Sequence, residues 1–147
     1  MARQHRSKFP QHGFTLIEVM VVVAILAILA TVVVTNISGE PGKARVAKAK
    51  QDIRAIESAL ELYKLDNFNY PSTDQGLQAL VEPPATDPPA ANWKDGGYLK
   101  RLPMDPWQRE YLFLSPGEYG AVDIYTLGRD GVSGGDGFDA DIGNFDL

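Results

Sequence analysis

Residues 9–34 read FPQHGFTLIEVMVVVAILAILATVVV, a basic leader that ends at Gly13 followed by an apolar run from Phe14 to Val34. As a helix rising about 1.5 Å per residue, such a run crosses the roughly 30 Å hydrocarbon layer of a bilayer. One acidic residue, Glu18, stands just inside the run. A carboxylate there costs about 2.5–3.5 kcal/mol at a helix centre and less near an interface, so its presence points to a function. A secretory signal peptide is cut after its apolar core. Here the small residue precedes the core, so 14–34 is expected to remain as an anchor while 1–13 is removed. Arg3, Arg6 and Lys8 precede the run with no acidic residue among 1–13. The positive-inside rule keeps that side cytoplasmic and sends the rest across the membrane.

Beyond the anchor roughly 110 residues remain, enough for one small domain with a modest core. Loss of Arg3, Arg6 and Lys8 takes the formal charge from −5 to −8. So acidic a chain lacks the basic face that phosphate backbones require, which argues against nucleic acid as a partner. There is no cysteine, and both histidines, His5 and His12, lie in the leader. That excludes Ser-His and Cys-His nucleophilic chemistry and ordinary zinc sites from the mature chain. A small extracytoplasmic domain without disulfides needs another staple, for which a metal is the natural candidate.

Ser38-Gly39-Glu40-Pro41-Gly42 interrupts the helical pattern and predicts a kink or a locally melted stretch near Pro41. Beyond it, Val46, Ala49, Ile53, Ile56, Leu60 and Tyr63 recur at spacings of three and four. This makes segment 35–65 amphipathic, helical from about Lys43 to Leu65, with its stripe on the domain's own core. Segment 66–110 is rich in Pro and Gly. It holds one short helical candidate, Asp74 to Val81, with Thr73 or Asp74 as N-cap, and Trp93, Tyr98, Leu99 and Trp107 as packing anchors. Residues 111–114 and 122–127 read as strands of an antiparallel hairpin turning at Ser115-Pro116-Gly117. The fold class is α+β: a long N-terminal helix, half membrane-spanning and half amphipathic, a variable loop, and a small antiparallel C-terminal sheet.

From Leu127 the chain runs LGRDGVSGGDGFDADIGNFDL, in which Asp130, Asp136, Asp139, Asp141 and Asp146 alternate with glycines. Hard oxygen ligands brought together by tight turns are what calcium prefers. A solvated acidic tail has the same composition, but Val132, Phe138, Ile142 and Phe145 are able to pack the loop down and favour order. It is not an EF-hand, because Val132 and Gly134 occupy the third and fifth loop positions counted from Asp130. Backbone carbonyls must then supply several ligands.

Gly13-Phe14-Thr15-Leu16-Ile17-Glu18 resembles the processing site of type IV pilin-like proteins. The resemblance implies cleavage between Gly13 and Phe14 by a prepilin peptidase, N-methylation of Phe14, and an assembly role for Glu18, whose carboxylate would neutralise the freed amine when both are buried among helices. Farther along, Tyr70-Pro71, Gln75-Gly76-Leu77-Gln78-Ala79-Leu80, Gly97-Tyr98-Leu99, Leu102-Pro103, Asp105-Pro106-Trp107, Leu127-Gly128, Asp130-Gly131 and Ala140-Asp141-Ile142 resemble the major pseudopilin family of type II secretion, general secretion pathway protein G, over nearly the whole chain from Gly13. That family implies a pilin-like fold and a calcium ion in the C-terminal loop. Asp130, Asp141 and the Leu127 carbonyl are its first ligands, with Asp136, Asp139 and the Val132 carbonyl as further ones. One departure is Gln108-Arg109-Glu110, where the family often has a Gly-Asn-Pro turn.

The function so implied is structural rather than enzymatic. The chain would be a single-pass inner-membrane protein of a Gram-negative bacterium with its C-terminal domain, 66–147, in the periplasm. It would polymerise into a pseudopilus that drives folded proteins across the outer membrane, alongside minor pseudopilins, an inner-membrane assembly platform and membrane lipid. Two alternatives stand beside it. A type IV pilin for adhesion, motility or DNA uptake commonly closes its C-terminal loop with a disulfide, and this chain has no cysteine. A membrane-anchored periplasmic hydrolase would use paired carboxylates, yet the aspartates here concentrate in one terminal loop.

Overall fold

A computed structural model describes residues 15–37 and 40–147, with side chains for 15–29 and 41–147. The leader, Gly13 included, and Phe14 lie outside the described residues, as do Ser38 and Gly39. The first helix, α1, spans Leu16–Ile37. Thr15 starts it: its hydroxyl and carbonyl accept the Glu18 N–H at 3.3 and 3.1 Å, the capping half of a Thr-x-x-Glu box. Glu18, in the first turn, also faces the positive end of the helix dipole. Every described side chain of α1 is exposed, from Leu16 through Leu29. A helix apolar on all sides needs lipid or other helices around it. Among the described residues no helix is long and apolar enough to cross a membrane.

The second unit, Glu40–Leu147, is compact by itself. It opens with α2, Glu40–Asn67. The predicted interruption around Ser38-Gly39-Glu40-Pro41-Gly42 falls in part on Ser38 and Gly39, outside the described residues; from Glu40 onward α2 is continuous, and Pro41 sits in its first turn, where its missing N–H has no helical acceptor to lose. Ala49, Ile53, Ile56, Ala59, Leu60 and Tyr63 are buried, so the predicted stripe faces the core, with Val46 half-buried at its start. The helix runs two residues past Leu65. Asn67 ends it: its side-chain amide donates to the Tyr63 carbonyl and the Tyr98 hydroxyl, both at 3.0 Å, while its oxygen accepts from the Asn92 N–H at 3.1 Å. Phe68 then reverses the chain in a left-handed conformation, φ 67°.

Three antiparallel strands cover α2: β1, Leu112–Leu114, β2, Asp123–Thr126, and β3, Ile142–Gly143, in spatial order β1-β2-β3. Leu112 pairs with Tyr125 and Leu114 with Asp123; Tyr125 pairs with Gly143. The predicted hairpin is therefore present, and β3 is an addition to it. The link between β1 and β2 is longer than the expected turn. The Asp123 carboxylate closes it by accepting the N–H groups of Glu118 and Tyr119 at 2.6 and 3.1 Å. The predicted helix 74–81 shrinks to a 3-10 turn, Leu77–Leu80, because Gly76 takes φ 62° and breaks the helical run. Its N-cap is Gly76, neither Thr73 nor Asp74, and no side chain caps it; in the turn just before, the Ser72 hydroxyl accepts the Gln75 N–H while Gln75 Oε1 accepts the Ser72 N–H, at 3.2 and 3.0 Å. Trp93, Tyr98, Leu99 and Trp107 pack against the core as expected. The Trp93 indole donates to the Ala79 carbonyl at 2.9 Å.

Candidate functional site

The antiparallel pairing of β2 with β3 brings the acidic loop's two ends together. Gly128 sits at the base of the loop at φ 62°, and a Cβ there would lie 2.5 Å from the carbonyl oxygens of Asp139 and Ala140. Only glycine allows the two segments to approach so closely. Above it the Arg129 N–H donates to the Phe138 carbonyl at 3.0 Å, the Gly131 N–H to the Leu127 carbonyl at 3.2 Å, and the Asp141 N–H to the Gly134 carbonyl at 3.2 Å. Phe138 turns inward onto the start of α2, its ring atoms 2.8–2.9 Å from where a Cβ on Gly42 would stand. The loop is thus folded against its own unit, and a solvated tail does not describe it.

The predicted ligands divide. Asp141 Oδ2 accepts the Gly134 N–H at 2.9 Å, while its Oδ1 is buried without a hydrogen-bond partner. Asp130 Oδ1 accepts the Val132 N–H at 3.1 Å in a tight turn on the exposed side. The Leu127 carbonyl, at the loop base, accepts the Gly131 N–H at 3.2 Å. Asp136 is exposed, and its carbonyl accepts the Asp139 N–H at 3.1 Å. Asp139 is engaged elsewhere: Arg129 Nε and a terminal nitrogen donate to its two oxygens at 2.7 and 2.8 Å. Those hydrogen bonds hold the Asp139 carboxyl below its ordinary value, burial opposing them, and raise the Arg129 guanidinium. Val132 is exposed. Among the described residues no three acidic side chains converge as metal ligands do. An orphaned buried carboxylate oxygen in a loop lined by carbonyls nonetheless fits a hard cation at the Asp141 end.

Sequence reasoning passed over Asp105, which is buried at 1% exposure. Its Oδ1 accepts the N–H groups of Trp107 and Arg109 at 2.9 and 2.8 Å, and its Oδ2 accepts the Thr126 hydroxyl at 2.5 Å. Arg109 Nε lies 3.4 Å from the same oxygen, an ion-pair distance without hydrogen-bond geometry. The Arg109 guanidinium in turn donates to the Gly128 carbonyl. Asp105 therefore fixes a turn, strand β2 and the base of the acidic loop at once. An Asp-Pro pair is a turn-initiation signal, and it was the available clue. Gln108, within that turn, takes φ 67°, the conformation a glycine adopts without strain.

Comparison with known proteins follows the same two-part division. Residues 36–145 match the family model described as type II secretion system (T2SS), protein G, and residues 8–34 match the prokaryotic N-terminal methylation motif. The chain is 57% identical over 136 residues to a type II secretion system core protein G of Pseudomonas aeruginosa, covering 92% of this chain and 96% of that one. To the core protein G of Vibrio cholerae it is 58% identical over 137 residues, 93% of each chain. The crystal structure of the major pseudopilin from the type 2 secretion system of enterohaemorrhagic Escherichia coli superimposes with a TM-score of 0.67 at 46% identity, covering 76% of this chain and 96% of that chain.

Proposed function

The chain belongs to the type II secretion system protein G family, the major pseudopilins, and from that premise we propose how its two parts serve the filament. Its role is structural, not enzymatic, and it assembles into a pseudopilus with other secretion components. The proposal begins at the methylation motif: a prepilin peptidase cuts between Gly13 and Phe14, and the new Phe14 amine is methylated. Residues 14–34 hold the subunit in the inner membrane with the Glu40–Leu147 unit in the periplasm. On assembly these residues exchange lipid for neighbouring anchors, where Glu18 compensates the Phe14 amine. The all-round apolar surface of α1 up to Leu29 supports this reading. Minor pseudopilins and an inner-membrane platform are the further partners.

Calcium is the second element of the proposal. Asp141, Asp130 and the Leu127 carbonyl would hold it, and when bound it supplies positive charge to a loop whose carboxylates otherwise repel. Asp136, Asp139 and the Val132 carbonyl are the further ligands named by the resemblance; Asp139 is already paired with Arg129. The observation that carries the calcium reading is the unpartnered Asp141 Oδ1. Phe138 on Gly42 gives the loop its mechanical purpose, since a loop held in shape keeps that ring on the first turn of α2.

Three experiments test these parts. Mass spectrometry of the chain recovered from membranes is expected to give an N-terminal methylated Phe14. In cells, Glu18→Ala is expected to leave cleavage intact and abolish filaments; filaments that form normally would remove the assembly role. Calcium is tested by thermal unfolding, described below.

A further inference from the structure

Among the described residues Phe68 is the most exposed large apolar side chain, at 83%. It stands immediately after α2, its N–H donating to the Lys64 carbonyl at 2.7 Å and its backbone in the left-handed region, φ 67°. Glycine or asparagine takes that place after a helix with little steric cost, whereas a bulky side chain there is strained. Strain and the exposure of an aromatic ring both work against the single chain, and here they coincide in one residue. Leu62 and Leu65, three residues apart on α2, are exposed at 51% and 71%, so Phe68 continues an apolar row instead of standing singly. The same Glu40–Leu147 unit also carries an apolar groove. It lies between the 3-10 turn Leu77–Leu80, segment 102–104 and β1, and has a volume of about 430 Å³. Leu77, Leu102, Pro103, Met104, Leu112 and Phe113 wall it, and Met104 and Leu112 are themselves exposed. Phe68 of the same chain is not part of that lining.

We infer that the Phe68 ring of one subunit seats in this groove on a second copy of the chain, a head-to-tail contact between folded domains that helps propagate the filament. The inference rests on the pseudopilus reading above. A second copy is the occupant because one chain carries both halves. A knob and a groove at different places on the same subunit make a heterologous contact, and such contacts extend into helical filaments when the rotation between subunits does not close. Removing the ring and the groove walls from water supplies the drive. The left-handed turn holds the ring out in solvent before any contact forms, so little ordering is left to be done at docking.

The test uses the full chain, in detergent micelles for stability and in cells that assemble the pseudopilus for filament yield. Phe68→Gly removes the ring and the strain together. Its melting temperature should equal or exceed that of the natural protein, while filament yield falls roughly tenfold or more. A lower melting temperature would show that the ring serves its own domain, and filaments at the natural yield would show that no contact needs it; either result overturns the inference. Met104→Glu, on the groove side, should lower filament yield in the same way without lowering the melting temperature. For a direct readout, Phe68 is replaced by the photoreactive analogue benzoylphenylalanine, which keeps an aromatic ring. Illumination of assembled filaments should give a dimer of this chain, with the attachment mapped by mass spectrometry to residues 77–78 or 102–113 of the second copy. Attachment elsewhere on that copy, to another protein or to lipid contradicts the contact while leaving the filament standing. If the natural protein itself forms no filaments, the pseudopilus reading fails and the contact with it.

Discussion

The buried face of α2 and the loop from Leu127 to Asp141 belong to the same compact unit, yet opposite physics holds them. On α2, six side chains from Ala49 to Tyr63 repeat at helical spacing, all buried, and each is held by contact with apolar neighbours. The loop buries little. Its shape comes from backbone hydrogen bonds across Gly128, from the Arg129–Asp139 pair, and from Arg109 reaching the Gly128 carbonyl. Apolar packing is indifferent to ions, whereas a loop assembled from carboxylates and carbonyls depends on the cations around it. On the calcium proposal, one part of the domain carries stability and the other would make that stability conditional on the medium.

The sharpest way to break this contrast is to damage the packed side and ask whether calcium notices. Ile53→Ala is expected to cost about 4 kcal/mol, read by urea unfolding, with the same loss in calcium and in chelator. A calcium-dependent loss would show that the two regions are not separable. Asp105→Ala comes next, at about 3 kcal/mol, since it leaves the Trp107 and Arg109 N–H groups and the Thr126 hydroxyl without their acceptor. Because Asp105 also steadies Arg109, this variant should weaken calcium binding as Ile53→Ala does not.

Alkali probes the packed side through its tyrosines. Burial, then the hydrogen bond to Glu61, pushes the Tyr70 hydroxyl from 10.0 up to about 12. Burial and the bond to Asp52, 3.0 Å long, push Tyr111 up as well, and burial raises Tyr63 and Tyr98. A phenol raised in the folded state contributes stability that is whole below the unfolded value and lost as pH climbs through the folded one. Unfolding free energy should hold to about pH 10 and fall between about 10 and 12; a flat profile to pH 12 would contradict the tyrosine environments. The smallest effect belongs to the turn under the loop. Gln108→Gly relieves a left-handed backbone and should stabilise by about 0.5 kcal/mol after glycine's own entropy cost. A destabilising result would mean that the Gln108 side chain makes a contact worth more than the strain.

The same division explains what the sequence disclosed. Val46 to Tyr63 announced α2 because burial on a helix leaves a period of 3.6, and residues 122–127 announced a strand through their alternation. Strand β3 is two residues, Ile142 and Gly143, too short for any period and defined by what lies beside it. Asp105 stood in the sequence only as part of the Asp105-Pro106-Trp107 motif, because its partners Arg109 and Thr126 meet it only once the chain has folded. The ligand candidates were legible as residue types. Which of them holds a cation of its own was not, since Arg129 reaches Asp139 only through the pairing of Arg129 with Phe138. The expected break near Pro41 falls in part on Ser38 and Gly39, outside the described residues; within them, Pro41 stands in the first turn of α2, where proline is tolerated.

The most direct test of the central claim is thermal unfolding of the full chain in detergent micelles, followed by the fluorescence of Trp93 and Trp107. Both tryptophans lie in the Glu40–Leu147 unit, so the signal reports that unit's unfolding. Melts are compared in saturating calcium, in excess chelator, and for Asp130→Ala and Asp141→Asn in calcium. Calcium at a hundred times its dissociation constant should add about 2.7 kcal/mol and raise the melting temperature by several degrees. Chelator should remove the gain, as should either substitution, while Ile53→Ala keeps it from a lower starting point. Coincident curves with calcium and with chelator would contradict the account, because a loop held without a metal leaves nothing about the domain's stability conditional on its surroundings.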